Sequence, residues 1–161
     1  MSVSFDKMVE SFRLFITNPI ILAALVSWFL SQFIKGLIVL FNVRNKGFRE
    51  VIETLLWRTG GMPSSHAAVV TSMTGVVGIV EGIESNLFAV SLIIALVVMR
   101  DAMGVRRAVG LQAKALNFLG NKTMEKNGID FHPLKEIRGH APMEVVAGAV
   151  LGLIVSAAFL R

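Results

Sequence analysis

The sequence predicts an all-α membrane protein with four transmembrane helices and an interfacial helix near its N-terminus. Hydrophobic residues make up 54% of its 161 residues, and the mean hydropathy is +0.68. This composition is too apolar for an ordinary soluble domain. The charged residues fall mainly between long apolar stretches, as in a polytopic membrane protein. We therefore expect a single integral-membrane domain over residues 1–161.

Four apolar stretches define the predicted spans. The first covers residues 19–42, where Lys35 is the only charged residue, and the second covers residues 64–81. Both approach or exceed the ~20 apolar residues that a helix needs to cross a bilayer. The third, residues 85–105, reaches this length only by including charged residues at its end. The fourth, residues 145–160, is also short and reaches it only by extending back toward Glu144.

Two further segments have a different character. Residues 5–17 alternate apolar and charged positions at helical spacing, which is typical of a helix lying along the membrane interface. Residues 108–135 contain several Gly, Asn and Pro residues in their second half, which predicts a helix followed by a loop.

The distribution of basic residues predicts the topology. Twelve of the 16 Lys and Arg residues lie in loops 43–61 and 100–141, and three lie on the opposite side of the predicted spans. The positive-inside rule therefore places both loops in the cytoplasm and both termini outside. We expect the inner (cell) membrane of a bacterium, with the basic loops facing anionic headgroups rather than nucleic acid. The oligomeric state is not readable from these patterns.

The segment Gly60-Gly61-Met62-Pro63-Ser64-Ser65-His66 precedes the second span. A loop of this composition can direct backbone N–H groups and the hydroxyls of Ser64 and Ser65 toward one point. The N-terminus of the following helix favours an anion such as phosphate. His66 beside such an anion can donate or accept a proton near neutral pH. The alternative is that this segment only caps a helix.

His140 and Glu144 stand four residues apart where the fourth apolar stretch begins. If the helix starts near Pro142, their side chains can meet across its first turn. A carboxylate bonded to one imidazole nitrogen leaves the other nitrogen as nucleophile or base. The alternative is a helix-start carboxylate favoured by the helix dipole, beside an interfacial histidine.

Several cations are candidates for binding a phosphate group. Lys35 lies in the cytoplasmic part of the first span, where it acts as a phosphate ligand or snorkels to the headgroups. Arg106 and Arg107 are adjacent, so on a helix they point in directions about 100° apart. One of them can bind a phosphate bidentately while the other meets lipid headgroups.

Three segments together resemble the divergent PAP2 family, small membrane proteins related to type 2 phosphatidic acid phosphatases and vanadium haloperoxidases. They are residues 60–66, residues 100–113, which begin Arg-Asp-Ala-Met-Gly-Val-Arg-Arg, and Gly-His-Ala-Pro-Met-Glu-Val at 139–145. The resemblance extends from the first predicted span to the fourth and implies a PAP2-like helical bundle.

The resemblance also implies roles for individual residues. A Pro-Ser-Gly-His motif, which supplies phosphate contacts and an acid histidine in the wider superfamily, corresponds to residues 63–66, with Ser65 replacing glycine. A His-x-x-x-Asp motif, which supplies the nucleophile and its orienting carboxylate, corresponds to His140 and Glu144. A Lys-x6-Arg-Pro motif matches only at Lys35. Arg44 and Arg58 are available in place of the arginine of that motif. A second arginine is expected six residues before His140, where this chain has Leu134, and Arg106, Arg107 or Arg138 is available in its place.

These observations predict a metal-independent phosphatase that hydrolyses a lipid phosphate monoester or diphosphate through a phosphohistidine and needs no cofactor. His140, His66 and Glu144 would be catalytic, while Lys35, Ser64, Ser65 and an arginine would bind phosphate. The alternative function is a non-catalytic lipid-phosphate binder or carrier. A purely structural membrane protein would explain the hydropathy but not the two histidine motifs.

Overall fold

A computed structural model describes residues 5–42, 61–128, 130–136 and 139–160. The regular elements within these ranges are all helices. They are α1 (Phe5–Ile16), α2 (Pro19–Asn42), α3 (Ser65–Val80), α4 (Asn86–Met103), α5 (Val105–Asn127) and α6 (Pro142–Ala157). The prediction of an all-α protein is therefore confirmed.

Local sequence signals explain where several helices begin and end. Ser64 and Ser85 are the N-caps of α3 and α4, and the hydroxyl of each accepts a hydrogen bond from a backbone N–H in the first turn. Pro142 occupies the first turn of α6, as predicted, where its missing N–H costs nothing. Gly128 ends α5 with a left-handed φ of 64°, a conformation that glycine adopts without strain.

Within the described residues, two helical runs are long and apolar enough to cross a membrane: Pro19–Phe41 and a run that starts at Asn86 and includes all of α4. The helices α3 and α6 are apolar but have 16 residues each. Each is therefore about 24 Å long, against a hydrocarbon core of about 30 Å. The count of four spans stays a prediction. So does the interfacial position of α1, which has no buried residue.

The contacts between helices fix their relative directions. Ser72 Oγ donates to the carbonyl of Ala23, while Ser65 contacts Lys35, so α2 and α3 run antiparallel. Thr74 Oγ1 donates to the carbonyl of Ser91, and Gly78 lies against Phe88, so α3 and α4 also run antiparallel.

The helices α3 and α6 run parallel, because Gly148 lies against Ser64 and Gly152 lies against Ala68. The C-terminal ends of α2 and α4 therefore meet the N-terminal ends of α3 and α6. We call this the convergent end of the bundle.

Small residues allow α3 and α6 to pack very closely. A Cβ atom on Gly148 would clash with the carbonyl oxygen of Ser64, and one on Gly152 would clash with the carbonyl oxygen of Ala68. These two glycines are four residues apart and form the small-xxx-small pattern that lets helix backbones approach in membranes. The buried Ala67 on α3 completes the contact.

We predict that Gly148→Val and Gly152→Val each destabilise the protein by about 1–3 kcal/mol, because the added side chain meets backbone atoms that cannot rotate away. The measurement is the unfolding free energy in mixed micelles titrated with a denaturing detergent. The control is Ala157→Val, which places the same valine side chain at an exposed position of α6. Equal stability of all three variants and the wild type would contradict the packing described here.

Candidate active site

The loop before α3 enters the convergent end of the bundle. Gly61 has a φ of 94°, a value that residues other than glycine rarely adopt. The backbone N–H of Ser64 donates to the carbonyl of Glu144 at 2.8 Å and so ties the start of α3 to the first turn of α6. The hydroxyl of Ser65 is buried and accepts a hydrogen bond from Lys35 Nζ at 3.3 Å.

His140 and Glu144 form a hydrogen-bonded pair at the start of α6, in which His140 is buried and Glu144 is partly buried. Their Nδ1 and Oε2 atoms are 2.8 Å apart, and the His140 residue is only 3% exposed. The same carboxylate oxygen accepts the backbone N–H of Ala141 at 3.3 Å. An ionised Glu144 accepts a hydrogen bond from the Nδ1–H group of His140. A neutral imidazole in this tautomer has its free lone pair on Nε2. The pair thus provides an oriented nucleophile or base.

His66 lies in the first turn of α3 and its ring faces the ring of His140. The two ring centroids are 6.0 Å apart and the ring planes make an angle of 65°. His66 is half-buried. Two imidazoles this close together can both reach one small group bound beside them.

Lys35 brings a cation to the same place from α2. It is 4% exposed, lies near the C-terminal end of an otherwise apolar helix and donates to Ser65. The Glu144 carboxylate also attracts the Lys35 ammonium electrostatically. A buried ammonium is costly unless polar partners compensate it, so its presence here favours a functional role.

The structure therefore brings five of the predicted site residues together at the convergent end, from three helices that are distant in sequence. They are Lys35, Ser65, His66, His140 and Glu144.

Ser64 is adjacent to this group but fully buried, and its Oγ accepts the N–H of Ala67. Its observed role is that of a helix cap. Its contact with phosphate stays a prediction.

The arginines are placed differently. Arg107 is exposed on α5, although its backbone packs against Gly139 next to the candidate nucleophile. Arg106 lies in the same helical turn. Arg44, Arg58 and Arg138, together with Gly60 of the first motif, lie outside the described residues. The assignment of an arginine to the phosphate site stays a prediction.

Sequence reasoning missed the backbone contacts that hold His140. Its N–H donates to the carbonyl of Ala102 at the end of α4, at 3.0 Å. A carbonyl leaves no mark in a sequence, so this anchor could not be found. Gly139 was a usable signal, because a Cβ there would collide with the backbone of Arg107.

Among the described residues, no group of three or more His, Asp or Glu side chains is arranged to hold a metal ion. The side chains of His140 and Glu144 are hydrogen-bonded to each other.

Comparison with known proteins places this chain in a family. The model of the Divergent PAP2 family matches residues 16–155. An uncharacterized membrane protein of Bacillus subtilis (strain 168), YuiD, is 37% identical over 152 residues, which cover 88% of this chain and 93% of that protein. No solved structure matches the chain significantly. Because the family model spans most of the sequence and the relative matches over nearly its whole length, this membrane protein belongs to the divergent PAP2 family.

Proposed function

We propose that this protein is a metal-independent phosphatase that acts on a lipid phosphate or diphosphate through a phosphohistidine intermediate. The observation that carries the proposal is the hydrogen-bonded pair of His140 and Glu144, 2.8 Å apart, with the ring of His66 beside it. Nucleophile, orienting carboxylate and second proton-transfer group are the parts that covalent phosphoryl transfer needs.

The reaction proceeds in two displacements. The lone pair on His140 Nε2 attacks phosphorus, and the bond from phosphorus to the lipid oxygen breaks. The departing oxygen takes a proton from His66, while Glu144 balances the charge of the phosphorylated imidazole. Water then attacks the phosphorus and gives its proton to His66. The bond between phosphorus and Nε2 breaks, and phosphate leaves.

Charge stabilisation comes from side chains and helix ends. The Lys35 ammonium neutralises the oxygens that do not react, and the positive end of the α3 helix dipole stabilises their charge as well. The hydroxyls of Ser64 and Ser65 and one or more of the arginines 58, 106 and 107 complete the site. Positive charge supplied in this way does the work that metal ions do in other phosphoryl-transfer enzymes.

A lipid substrate is favoured by where the site lies. Its residues stand at the ends of apolar helices, the depth at which a bilayer presents its phosphate groups. Phosphatidylglycerophosphate, phosphatidic acid and isoprenyl diphosphates share the required chemistry, a terminal phosphate on an apolar anchor. The same reasoning makes membrane lipids the natural surroundings of the site.

We predict that the purified protein releases phosphate from at least one of these lipids at the same initial rate with and without EDTA. The measurement is inorganic phosphate released from mixed micelles of each lipid. Activity that EDTA abolishes and magnesium restores would contradict the mechanism. Binding of the lipid without any turnover would favour the alternative function, a binder or carrier.

We predict that His140→Ala removes turnover, because no neighbouring group can form the covalent intermediate in its place. Glu144→Gln should lower kcat by less, since the amide retains an oxygen that can accept from Nδ1 but lacks the negative charge. The control is His132→Ala, which removes an exposed imidazole. An active His140→Ala protein would refute the assignment of the nucleophile.

The role of His66 has its own test. We predict that His66→Ala loses ~10²–10⁴-fold in kcat with a lipid alkoxide as leaving group and much less with a nitrophenolate, which departs without a proton. The measurement compares a lipid phosphate with p-nitrophenyl phosphate. Equal losses with both substrates would show that His66 is not the general acid.

We propose that the site faces the cytoplasm, in keeping with the twelve basic residues of the two long loops. The chain contains no cysteine, so single cysteines report without background. Cysteines introduced at Asn45 and Asn127 should resist an impermeant thiol reagent in intact cells, and one introduced at Ser85 should react. The reverse pattern would invert the topology.

A further inference from the structure

The segment that leads into His140 is fastened to the side of α5. We propose that Asn117 is the positioning residue of this fastening: it holds residues 130–136 against α5 and thereby sets the place of the His140 imidazole. This inference rests on the proposed function, in which His140 is the nucleophile, and it adds a residue that neither sequence motif contains.

The side-chain amide of Asn117 bonds to the segment with both of its polar atoms. Its Nδ2 donates to the carbonyl of Leu134 at 2.9 Å and to Glu136 Oε1 at 3.0 Å, while its Oδ1 accepts the N–H of Leu134 at 2.7 Å. The amide thus pairs with the backbone of Leu134 as a neighbouring strand would. Both partners are at least 17 residues away along the chain, so the contact is tertiary.

Two close contacts extend this fastening in both directions. The ring of Phe131 packs directly against Gly120, where any side chain would clash with it. Gly139 packs against the backbone of Arg107 in the first turn of α5. The described residues 131–136 and 139 therefore contact α5 in reverse order, at Gly120, Asn117 and Arg107.

This series of contacts ends at the nucleophile. Immediately after Gly139, the N–H of His140 donates to the Ala102 carbonyl. The described residues between Asn127 and Pro142 form no helix, so side-chain contacts and close packing must hold this part of the chain. A displacement of about 1 Å at a reacting group can cost up to 100-fold in rate.

The isosteric substitution Asn117→Asp tests the inference without removing volume. The introduced carboxylate cannot donate to the Leu134 carbonyl and repels the carboxylate of Glu136. We expect kcat for phosphate release from dioleoyl phosphatidic acid, or whichever lipid the wild type hydrolyses, to fall about 10- to 100-fold, with KM within twofold. Asn121→Asp places the same charge on an exposed position one turn further along α5 and should change neither constant.

Rescue by a second substitution separates positioning from general loss of stability. Glu136→Gln alone keeps the oxygen that accepts from Asn117 and should behave as wild type. Combined with Asn117→Asp, its amide can donate to the introduced carboxylate, and we expect kcat to recover at least threefold. A double variant no better than Asn117→Asp, or an Asn121→Asp variant equally impaired, would overturn the inference.

A readout without substrate keeps this inference distinct from the proposed function. The chain has three histidines, so the imidazole Cε1–H signals of protein labelled in histidine can be assigned with single substitutions. Asn117→Asp should shift or broaden the His140 signal by more than the His66 signal, whereas Asn121→Asp should shift neither. An unchanged His140 signal would overturn the inference. A wild type without turnover, but with this selective change at His140, would refute the phosphatase proposal and retain the positioning role.

Discussion

The site depends on how closely α3 and α6 approach each other. Gly148 and Gly152 let the backbone of α6 rest on the carbonyl oxygens of α3, and one backbone hydrogen bond, from Ser64 to Glu144, locks the two first turns together. Because the helices run parallel, their N-terminal ends lie at the same end of the bundle. Their register brings His66, in the first turn of α3, to His140, which lies just before α6. A wider spacing would preserve both sequence motifs and separate the two imidazoles.

The hydrogen-bonding demands of the site concentrate on Glu144. Its carboxylate accepts from the His140 ring and from the Ala141 backbone, and attracts the ammonium of Lys35 as well. Its backbone carbonyl accepts from Ser64. A carboxylate with several donors is held in one orientation, and a buried cation such as Lys35 needs such a counter-charge in an apolar bundle. The residue that we propose to orient the nucleophile therefore also helps to accommodate the buried cation, Lys35.

The helices and the pairing of His140 with Glu144 could be predicted from the sequence. Apolar stretches with at most one charged residue predicted α2 and α3 almost to the residue, because placing a charge inside an apolar membrane helix costs free energy. Pro142 marked the start of α6, and the spacing of four placed Glu144 beside His140. The predicted topology placed both histidine motifs on one side of the membrane, which indicated a shared site.

Other parts of the site were beyond such reasoning. The cap formed by Ser64 uses a hydroxyl that the motif equally suits to phosphate, and composition does not distinguish these two uses. The Ala102 carbonyl that holds His140 belongs to the backbone and leaves no trace in side-chain chemistry. The pairing of Asn117 with Leu134 is a tertiary contact between a helix and an irregular segment. Hydrophobic periodicity identifies the apolar face of a helix, but it does not predict the contacts of an irregular segment.

This contrast suggests how the site divides its tasks. The groups assigned to proton transfer and to orienting the nucleophile, His66 and Glu144, stand in the first turns of tightly packed helices, where the backbone fixes them within a small range. By contrast, His140 itself precedes α6, and its position is shared between the helix on one side and the fastened segment on the other. A change in that segment can move the proposed nucleophile without disturbing the buried contacts of α3 with α6. The contacts of the segment with α5 are thus a means of altering the position of His140 independently of the packing of the bundle.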